Sequence, residues 1–352
     1  MTERACASCF SPPSWIPNAS PPAGAIANCD FGHQRNVQTW PTGAWIDSFT
    51  RLFAIYEESP PGELGEELHV RVQADWSIFS FDDLGLVKKF LDSAVPGHPL
   101  LESSVRVRLR NSIDGRAADH SSSWAKFSDE IKSQNRYFPR SAPNRDILEE
   151  ALSESVSTIA ADASLFRGRL TPPDELIPVD HMGAPPPRLT PPGRANPVGI
   201  PYLYLALDPE TCVYETRVAN HTRVSIGTFR VLRDLKVLNL AAIEPLDFFS
   251  TYEELEESDQ QAVRVSLHRY LEALGKELRR PVRSTDEPTD YIPTQYLCEL
   301  AKSLGFDGVL YSSSQRPTGR NVVLFDVAAA VCESVELVVI TSIEAVWKTA
   351  QL

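Results

Sequence analysis

The sequence predicts an α+β protein in two main parts, and three observations support this fold class. Between Trp40 and about Thr158, apolar residues recur mostly at helical spacing, which predicts a mainly α-helical N-terminal domain. From about Ala161 onward, short apolar runs bounded by Pro, Gly and Asp indicate strands among helices. Ahead of both, closely spaced cysteines indicate a small zinc-ribbon-like start. The predicted domains are therefore residues 1–38, 39–160 and 161–352.

Composition and charge limit the classes of function. The chain has 352 residues, 42% of them hydrophobic, which is enough for a sizeable core. Its formal net charge of −13 disfavours bulk nucleic-acid binding by charge alone. No apolar segment follows the first residues, and no run reaches the roughly 18 apolar residues of a membrane span. We therefore expect a soluble cytoplasmic protein that does not enter a membrane and whose six cysteines are not paired as disulfides.

Four residues near the N-terminus have the spacing of a metal site. Cys6 and Cys9 form a C-x2-C pair, and Cys29 and His33 form a C-x3-H pair. Thiolates and imidazole suit tetrahedral zinc, and four protein ligands leave no open position for catalysis, so the predicted role is structural. The alternative is an unstructured N-terminus with incidental cysteines. The remaining cysteines lie in apolar contexts and are predicted to be buried small side chains: Cys212, Cys298 and Cys332.

The helical spacing divides the N-terminal part into separate elements. Apolar residues between Trp45 and Tyr56 predict one helix, and a Pro-Gly loop at 60–65 interrupts the pattern after it. A second helix is predicted around 84–91 and a third over 147–159.

The C-terminal part begins with a predicted strand over 165–170 and a long Pro-rich loop over 171–197. Long loops inside a compact domain are often functional, and this one leads to a second predicted strand over 202–207. The alternative is a surface excursion. The other predicted strands lie at 224–232, 237–240, 309–311 and 322–325 and the helices at 252–278 and 294–304, while 335–340 and 343–347 are strands or a strand and a short helix.

Glu215 is the residue that the pattern singles out for chemistry. Asp208 is predicted to cap a helix whose first turn contains Pro209. On that helix Cys212, Glu215 and Ala219 fall on one face, and the small Cys and Ala predict that this face packs inward. A carboxylate carried toward the core usually has a partner or a functional role, because burying it unpaired is costly.

Three sequence blocks together resemble the RES family, which is named for an arginine, a glutamate and a serine. The first is Leu-Phe-Arg-Gly-Arg at 165–169. The second is Gly-Arg-Ala-Asn-Pro-Val-Gly at 193–199, followed by Tyr-Leu-Ala at 204–206 and by Glu215. The third is Gly-Phe-Asp-Gly-Val-Leu-Tyr-Ser-Ser at 305–313, followed by Gly-Arg-Asn at 319–321 and Leu-Phe at 324–325. Any one block is a weak signal, but three in the right order are specific.

The resemblance implies a fold and an activity. RES domains resemble ADP-ribosyltransferase toxins, which implies a mixed β-sheet core, and the family degrades NAD by cleaving the bond between nicotinamide and ribose. Water is the acceptor in a glycohydrolase, and phosphate is the acceptor in some members. NAD would be a substrate rather than a Rossmann-bound cofactor, since the sequence has no G-x-G-x-x-G motif. Loss of NAD stops growth, so the implied role is a toxin or defence effector.

The matching blocks also imply the site residues. Glu215 would stabilise the positive charge that develops on the ribose, and Arg167, supported by Arg194, would contact the pyrophosphate. Ser313, which the family spacing after Tyr311 selects from three consecutive serines, would hydrogen-bond the nicotinamide-ribose end or order the site. Further implied substrate contacts come from Arg169, Asn196 and Tyr204.

These assignments have structural alternatives. In one of them Arg167 is a structural arginine paired with an acid, and in another Arg169 is the ligand, since the motif contains two arginines. Glu215 is a salt-bridge partner of Arg217 or Arg223 in another. Tyr204 is an ordinary core residue in a fourth alternative. Asn196 only forms the turn in a fifth.

The region before residue 161 more loosely resembles the HEPN-type domain that precedes some RES domains. HEPN nucleases carry an arginine, four to six residues and then a histidine, whereas three residues separate Arg116 from His120, so no RNase activity is expected. Small RES toxins are held by an antitoxin, so an antitoxin or regulatory protein is an implied partner. The N-terminal half is predicted to inhibit, to sense or to form a homo-oligomer. Competing hypotheses are an ADP-ribosyltransferase acting on a macromolecule and a non-catalytic, zinc-stapled interaction protein.

Overall fold

The computed structural model describes residues 3–11, 24–33, 35–62, 65–110, 120–142, 145–172, 175–241, 243, 258–280 and 287–343. Several predictions fall partly or wholly outside these residues. Among them are Arg116, the segment 1–38, the loops at 60–65 and 171–197, the start of the helix predicted over 252–278, and the segment predicted at 343–347. The chain forms two compact units, the first from Met1–Trp124 and Glu244–Tyr270 and the second from Ala125–Ile243 and Leu271–Leu352.

The first unit is built on one aromatic-rich core. Residues from the N-terminal segment, including Cys6, Cys9 and Phe10, share this core with Trp45 and Phe90 from the following helical region. Its described helices and strands are β1 Arg4–Cys6, β2 Ala25–Ala27, β3 Val37–Pro41, α1 Ile46–Phe53, β4 Tyr56–Glu58, α2 Leu68–Trp76, α3 Leu84–Ala94 and β5 Val107–Leu109. The strands form two small antiparallel sheets, in the order β1-β3-β2 and β4-β5.

The second unit is built on an eight-stranded mixed sheet, so the predicted α+β fold class with a mixed sheet is confirmed. Its described elements are α4 His120–Ser133, α5 Arg145–Glu154, β6 Val156–Ile159, β7 Ser164–Leu170, β8 Leu203–Ala206, α6 Pro209–Glu215, β9 Arg223–Val231, β10 Leu235–Asn239, α7 Ser258–Arg279, α8 Ile292–Ser303, β11 Gly308–Ser312, β12 Arg320–Leu324 and β13 Ala330–Val339, with α4 and α7 each contributing residues to both units.

The strand order in this sheet is β13-β9-β7-β8-β12-β11-β10-β6. All of its neighbouring strands pair antiparallel except β10 and β11, which are parallel. The pairing between β7 and β8 is reduced to one residue pair, Phe166 with Ala206. The two strands therefore pair at this position and diverge away from it.

Most predicted elements of the second unit are present with shifted ends, but one prediction is wrong. The helix predicted over 147–159 ends at Glu154, and the last residues form β6, which pairs antiparallel with β10. Val156-Ser-Thr-Ile159 contains three β-branched residues, which lose side-chain freedom in a helix and fit an extended strand. The end of the helix before Ser155 could therefore have been predicted from the types of the residues that follow it, but not from apolar spacing.

Strand register places one set of side chains on the same face of the sheet. Tyr204 pairs with Val323, Ala206 with Asn321, and Asn321 with Tyr311. Since alternate residues of a strand point to the same face, Tyr204, Asn321 and Tyr311 share a face across β8, β12 and β11.

Among the residues described, no helix is both long enough and apolar enough to cross a membrane.

Candidate active site

Glu215 is the last residue of α6, and the cap that begins this helix is the predicted one. The Asp208 side chain accepts a hydrogen bond from the backbone N–H of Thr211 at 2.8 Å, and Pro209 occupies the first helical position. The helix has only seven residues, and Arg217 beyond it has a left-handed φ of 50°. The prediction that Cys212, Glu215 and Ala219 share one inward helical face is therefore wrong. Cys212 is buried, whereas Glu215 and Ala219 are exposed.

Two side chains hold the Glu215 carboxylate in place. Ser313 Oγ donates to Glu215 Oε1 at 2.6 Å, and Asn321 Nδ2 donates to the same oxygen at 2.7 Å. Both donors are almost fully buried. Within the described residues Oε2 has no hydrogen-bond partner, so this oxygen remains available for a ligand. The contacts of Glu215 are thus to Ser313 and Asn321 rather than to an arginine.

Two clefts meet at this carboxylate. The larger cleft, of about 370 Å³, contains Arg194, Arg217 and Arg279 in its wall. The smaller cleft, of about 240 Å³, lies where β7 and β8 diverge. Both clefts are lined by Tyr204, Glu215 and Tyr311. Glu215 is the only acidic residue among the described lining residues of the two clefts, so the walls favour an anionic ligand.

The two predicted arginines of β7 occupy different positions relative to the clefts. Arg167 lines the smaller cleft, whereas Arg169 lines neither. Both donate to the carbonyl oxygen of Gly183, at 2.9 and 2.8 Å, and neither has an acidic partner among the described residues. Burial, and then the nearby charge of Arg169, lower the pKa of Arg167 to about 10, which still leaves it charged at neutral pH. Arg167 is therefore a cation held at the cleft wall without a neutralising carboxylate.

The Gly193–Asn196 turn forms part of the wall of the larger cleft. Asn196 is buried and lines neither cleft; its Oδ1 accepts the Tyr204 hydroxyl at 2.7 Å. Gln295 Nε2 donates to the carbonyls of Gly193 and Asn196. Arg194 Nη1 donates to the Leu278 carbonyl at 2.9 Å while the residue lines the larger cleft. Asn196 thus shapes the wall, and Arg194 faces the space that a ligand would fill.

The Gly193 position shows how closely this turn is packed. A Cβ there would lie 2.4 Å from Asn196 Oδ1 and 2.7 Å from the Tyr204 hydroxyl, so any other residue would displace these two side chains. The Tyr204 hydroxyl therefore orders the turn, while the tyrosine itself still lines both clefts.

Sequence reasoning missed two polar residues of the site, Asn321 and Tyr311. Asn321 belongs to the quoted Gly-Arg-Asn block, and Tyr311 precedes Ser313 by two positions, which is the strand period. Burial raises the pKa of Tyr311, so its hydroxyl stays protonated at the junction of the clefts. By contrast, burial raises the pKa of Cys212 to about 12, which makes this nearby thiol a poor nucleophile.

A separate cluster in the first unit has the chemistry of a metal site. The ligand atoms of Cys6, Cys9, Cys29 and His33 all lie within 4.8 Å of one another. The three cysteines are buried. Although burial opposes it, backbone N–H groups of Phe31 and neighbouring residues lower the pKa of Cys29, which favours its thiolate. Three sulfurs, one imidazole and backbone donors to sulfur fit a four-coordinate zinc ion.

The fold and the site together define an α+β protein with a carboxylate at the junction of two arginine-bearing clefts, suited to an anionic small molecule. The chain belongs to the RES family, since the RES domain family profile matches residues 169–348, just over half of its length. The match begins two residues after Arg167 and covers none of residues 1–168, so the HEPN-like resemblance stays a prediction.

Among solved structures, the chain is similar to one titled "Crystal structure of the M.tuberculosis MbcT-MbcA toxin-antitoxin complex.". The identity is 18%, the alignment covers 56% of this chain and 93% of that one, and the TM-score is 0.30. A similarity at this level supports no conclusion about activity. No curated protein matches the chain.

Proposed function

We propose that this protein degrades NAD by cleaving the bond between nicotinamide and ribose, with Glu215 at the centre of the reaction. The observation that supports this most is the Glu215 carboxylate, held on one oxygen by Ser313 and Asn321 where the two clefts meet. Membership in the RES family, whose activity is NAD degradation, points to the same substrate.

The charges around the clefts suit a dinucleotide. NAD carries two negative charges on its pyrophosphate, and an arginine guanidinium can donate two parallel hydrogen bonds to such oxygens. Arg167 in the smaller cleft and Arg194 in the larger one are the proposed contacts. Arg169 donates to the same Gly183 carbonyl as Arg167 but lines neither cleft, so we do not propose it as a direct contact of the pyrophosphate. Tyr204 and Tyr311 offer aromatic surface at the junction.

The proposed reaction needs a carboxylate beside the ribose. As the carbon–nitrogen bond breaks, nicotinamide leaves with the bonding electrons as a neutral molecule, and positive charge develops on the ribose as an oxocarbenium-like state. Ionised Glu215 stabilises this charge and accepts a hydrogen bond from a ribose hydroxyl. Water then adds to the ribose carbon and loses a proton. In a phosphorylase, phosphate takes the place of water.

The acceptor separates this proposal from its nearest alternative. An ADP-ribosyltransferase would use the same cleavage but transfer the ADP-ribosyl group to a nucleophile on a macromolecule, which gives up a proton. The other alternative, a non-catalytic interaction protein, is disfavoured by the complete set of Glu215, Ser313 and Arg167. A toxin or defence effector is the role that NAD loss suggests.

The test is nicotinamide release by the purified full-length protein, with and without phosphate. Glu215→Gln keeps the shape of the side chain and removes its charge, so we expect the rate to fall on the order of 100-fold or more. Glu336→Gln, an exposed carboxylate change on β13, is the matched control and should retain full activity. Equal rates for wild type and Glu215→Gln would overturn the proposed role of Glu215. No nicotinamide from folded wild type would overturn the proposed activity.

We also propose that the Cys6, Cys9, Cys29 and His33 cluster holds a structural zinc ion. Support comes from the donor set and from its place in the core of the first unit.

The proposed domain limits remain 1–38, 39–160 and 161–352. An antitoxin or regulatory protein, or a second copy of the chain, would control access to the clefts, and the proposed location is the cytoplasm, where NAD is available.

A further inference from the structure

Hydrogen bonds within the turn from Ser313 to Gly319 close this turn and orient the Ser313 hydroxyl toward Glu215. Ser313 N–H donates to the Gly319 carbonyl at 2.8 Å. Ser313 Oγ accepts hydrogen bonds from the backbone N–H groups of Gln315 at 3.0 Å and Arg316 at 3.2 Å. Since a hydroxyl has one proton and two lone pairs, these amides occupy its acceptor positions and leave the proton for Glu215.

The Arg316 side chain fastens this turn to the beginning of α6. Its Nη1 donates to Asp208 Oδ1 at 2.9 Å and to Thr211 Oγ1 at 3.1 Å, and its Nη2 donates to Glu210 Oε2. Asp208 is the cap of α6, and its other oxygen accepts the Thr211 hydroxyl at 2.7 Å. Burial opposes the shift, but the hydrogen bonds from Thr211 and the charge of Arg316 lower the pKa of Asp208. The cap carboxylate and the guanidinium therefore form a charge-assisted pair.

The helix that carries Glu215 depends on such contacts. α6 has seven residues, and a helix this short is not stable without tertiary packing. Arg316 holds its first turn, while Ser313 and Asn321 hold its last residue. The turn packs directly on the helix, since a Cβ at Gly319 would lie 2.6 Å from Thr211 Oγ1.

We propose that Arg316 is a positioning residue that fixes the distance between Ser313 and Glu215 by holding the serine turn against the start of α6. Arg316 lines neither cleft, so it acts through the two residues and not on the substrate. The consequence for catalysis rests on the proposed function. The side chains of Arg316, Asp208 and Glu210 are 24%, 38% and 60% exposed, so the ion pairs themselves contribute little to global stability.

The experiment compares wild type with Arg316→Ala and Arg316→Lys in the full chain. A displacement of about 1 Å in a catalytic pair can cost on the order of 100-fold, so we expect kcat of Arg316→Ala to fall by about 10- to 100-fold while KM stays within about threefold. Arg316→Lys keeps the charge but not the fork and should recover part of kcat. Arg230→Ala is the matched control, because Arg230 also bonds two acids, Glu333 and Asp162, at an exposed site.

A second readout does not depend on activity. Hydrogen exchange of the peptide covering 313–319 should be faster in Arg316→Ala than in wild type, because the Gln315 and Arg316 amides lose their fixed acceptor. Unchanged exchange in this peptide would overturn the proposal, as would a KM that rises while kcat stays constant. If wild type releases no nicotinamide, the proposed activity fails, and the exchange comparison still decides whether Arg316 holds the turn.

Discussion

Asn321 and Ser313 both donate to a single oxygen of Glu215, which sets the charge environment of the site. Both donors are neutral groups, a hydroxyl and a side-chain amide, so they satisfy Oε1 without placing a charge beside it. They also fix its rotation, so that the unpartnered Oε2 keeps one orientation in the cleft. At the scale of single residues, the site is therefore a carboxylate whose direction is set by two buried neighbours.

Asn321→Asp should shift the pH dependence of NAD cleavage. A second carboxylate beside Glu215 disfavours the state in which both are ionised, so the acidic limb of the pH–rate profile should move to higher pH. Asn321→Ala removes the donor without adding charge, so it should lower the rate while shifting that limb less than Asn321→Asp does. The measurement is nicotinamide release as a function of pH for the three proteins. An acidic limb at the same pH in Asn321→Asp and wild type would contradict this account of the site.

At the scale of elements, local signals predicted the beginning of α6 but not its end. Asp208 caps the helix and Pro209 is its first residue. Both effects depend only on residues close in sequence, so the sequence was enough to predict them. After Glu215 no glycine or proline marks a stop, and the chain turns at Arg217 with a positive φ. The prediction of an inward face that reached Ala219 failed for this reason.

The contact between Asn321 and Glu215 could not have been derived from spacing. The two residues are 106 positions apart in the sequence. They meet because β12 lies between β8 and β11 in the sheet. A one-residue shift of β12 in its register would turn Asn321 to the opposite face of the sheet. Sequence blocks could mark Glu215 and Ser313 through the RES resemblance. The strand order that brings them together was available only from the structure.

Gly168→Ala tests how closely β7 packs against α6. A Cβ at this position would lie 2.7 Å from Thr216 Cγ2, 3.0 Å from Cys212 Sγ and 3.1 Å from the Cys212 carbonyl. We expect a loss of about 1–3 kcal/mol in the free energy of unfolding, together with lower activity because Glu215 moves with the helix. Gly43→Ala, where a Cβ meets nothing within 4 Å, is the control. Denaturant unfolding and nicotinamide release measure the two effects, and a fully stable, fully active Gly168→Ala would show that the helix has room to move.

At the scale of the whole molecule, the N-terminal segment is part of a larger core. Cys6, Cys9 and Cys29 belong to the same hydrophobic cluster as the aromatic residues of α1 and α3. Backbone hydrogen bonds also join the segment to later residues, from Ser11 to Ile78 and from Ser80 to Cys9. A metal ion at the cysteine cluster would therefore stabilise the first unit as a whole, and not only the first 38 residues.

Cys29→Ser should remove a metal ion and destabilise the first unit. Wild-type protein should contain about one zinc ion per chain, since three thiolates and one imidazole complete a tetrahedral site. The variant should lose that zinc and unfold at a lower temperature, because metal binding and folding are coupled where the ligands lie in the core. Cys332→Ser, outside the cluster, should keep both the zinc and the unfolding temperature of wild type. Metal analysis and thermal unfolding measure these effects. Wild-type protein that has the same unfolding temperature with and without zinc would contradict a structural metal ion at this cluster.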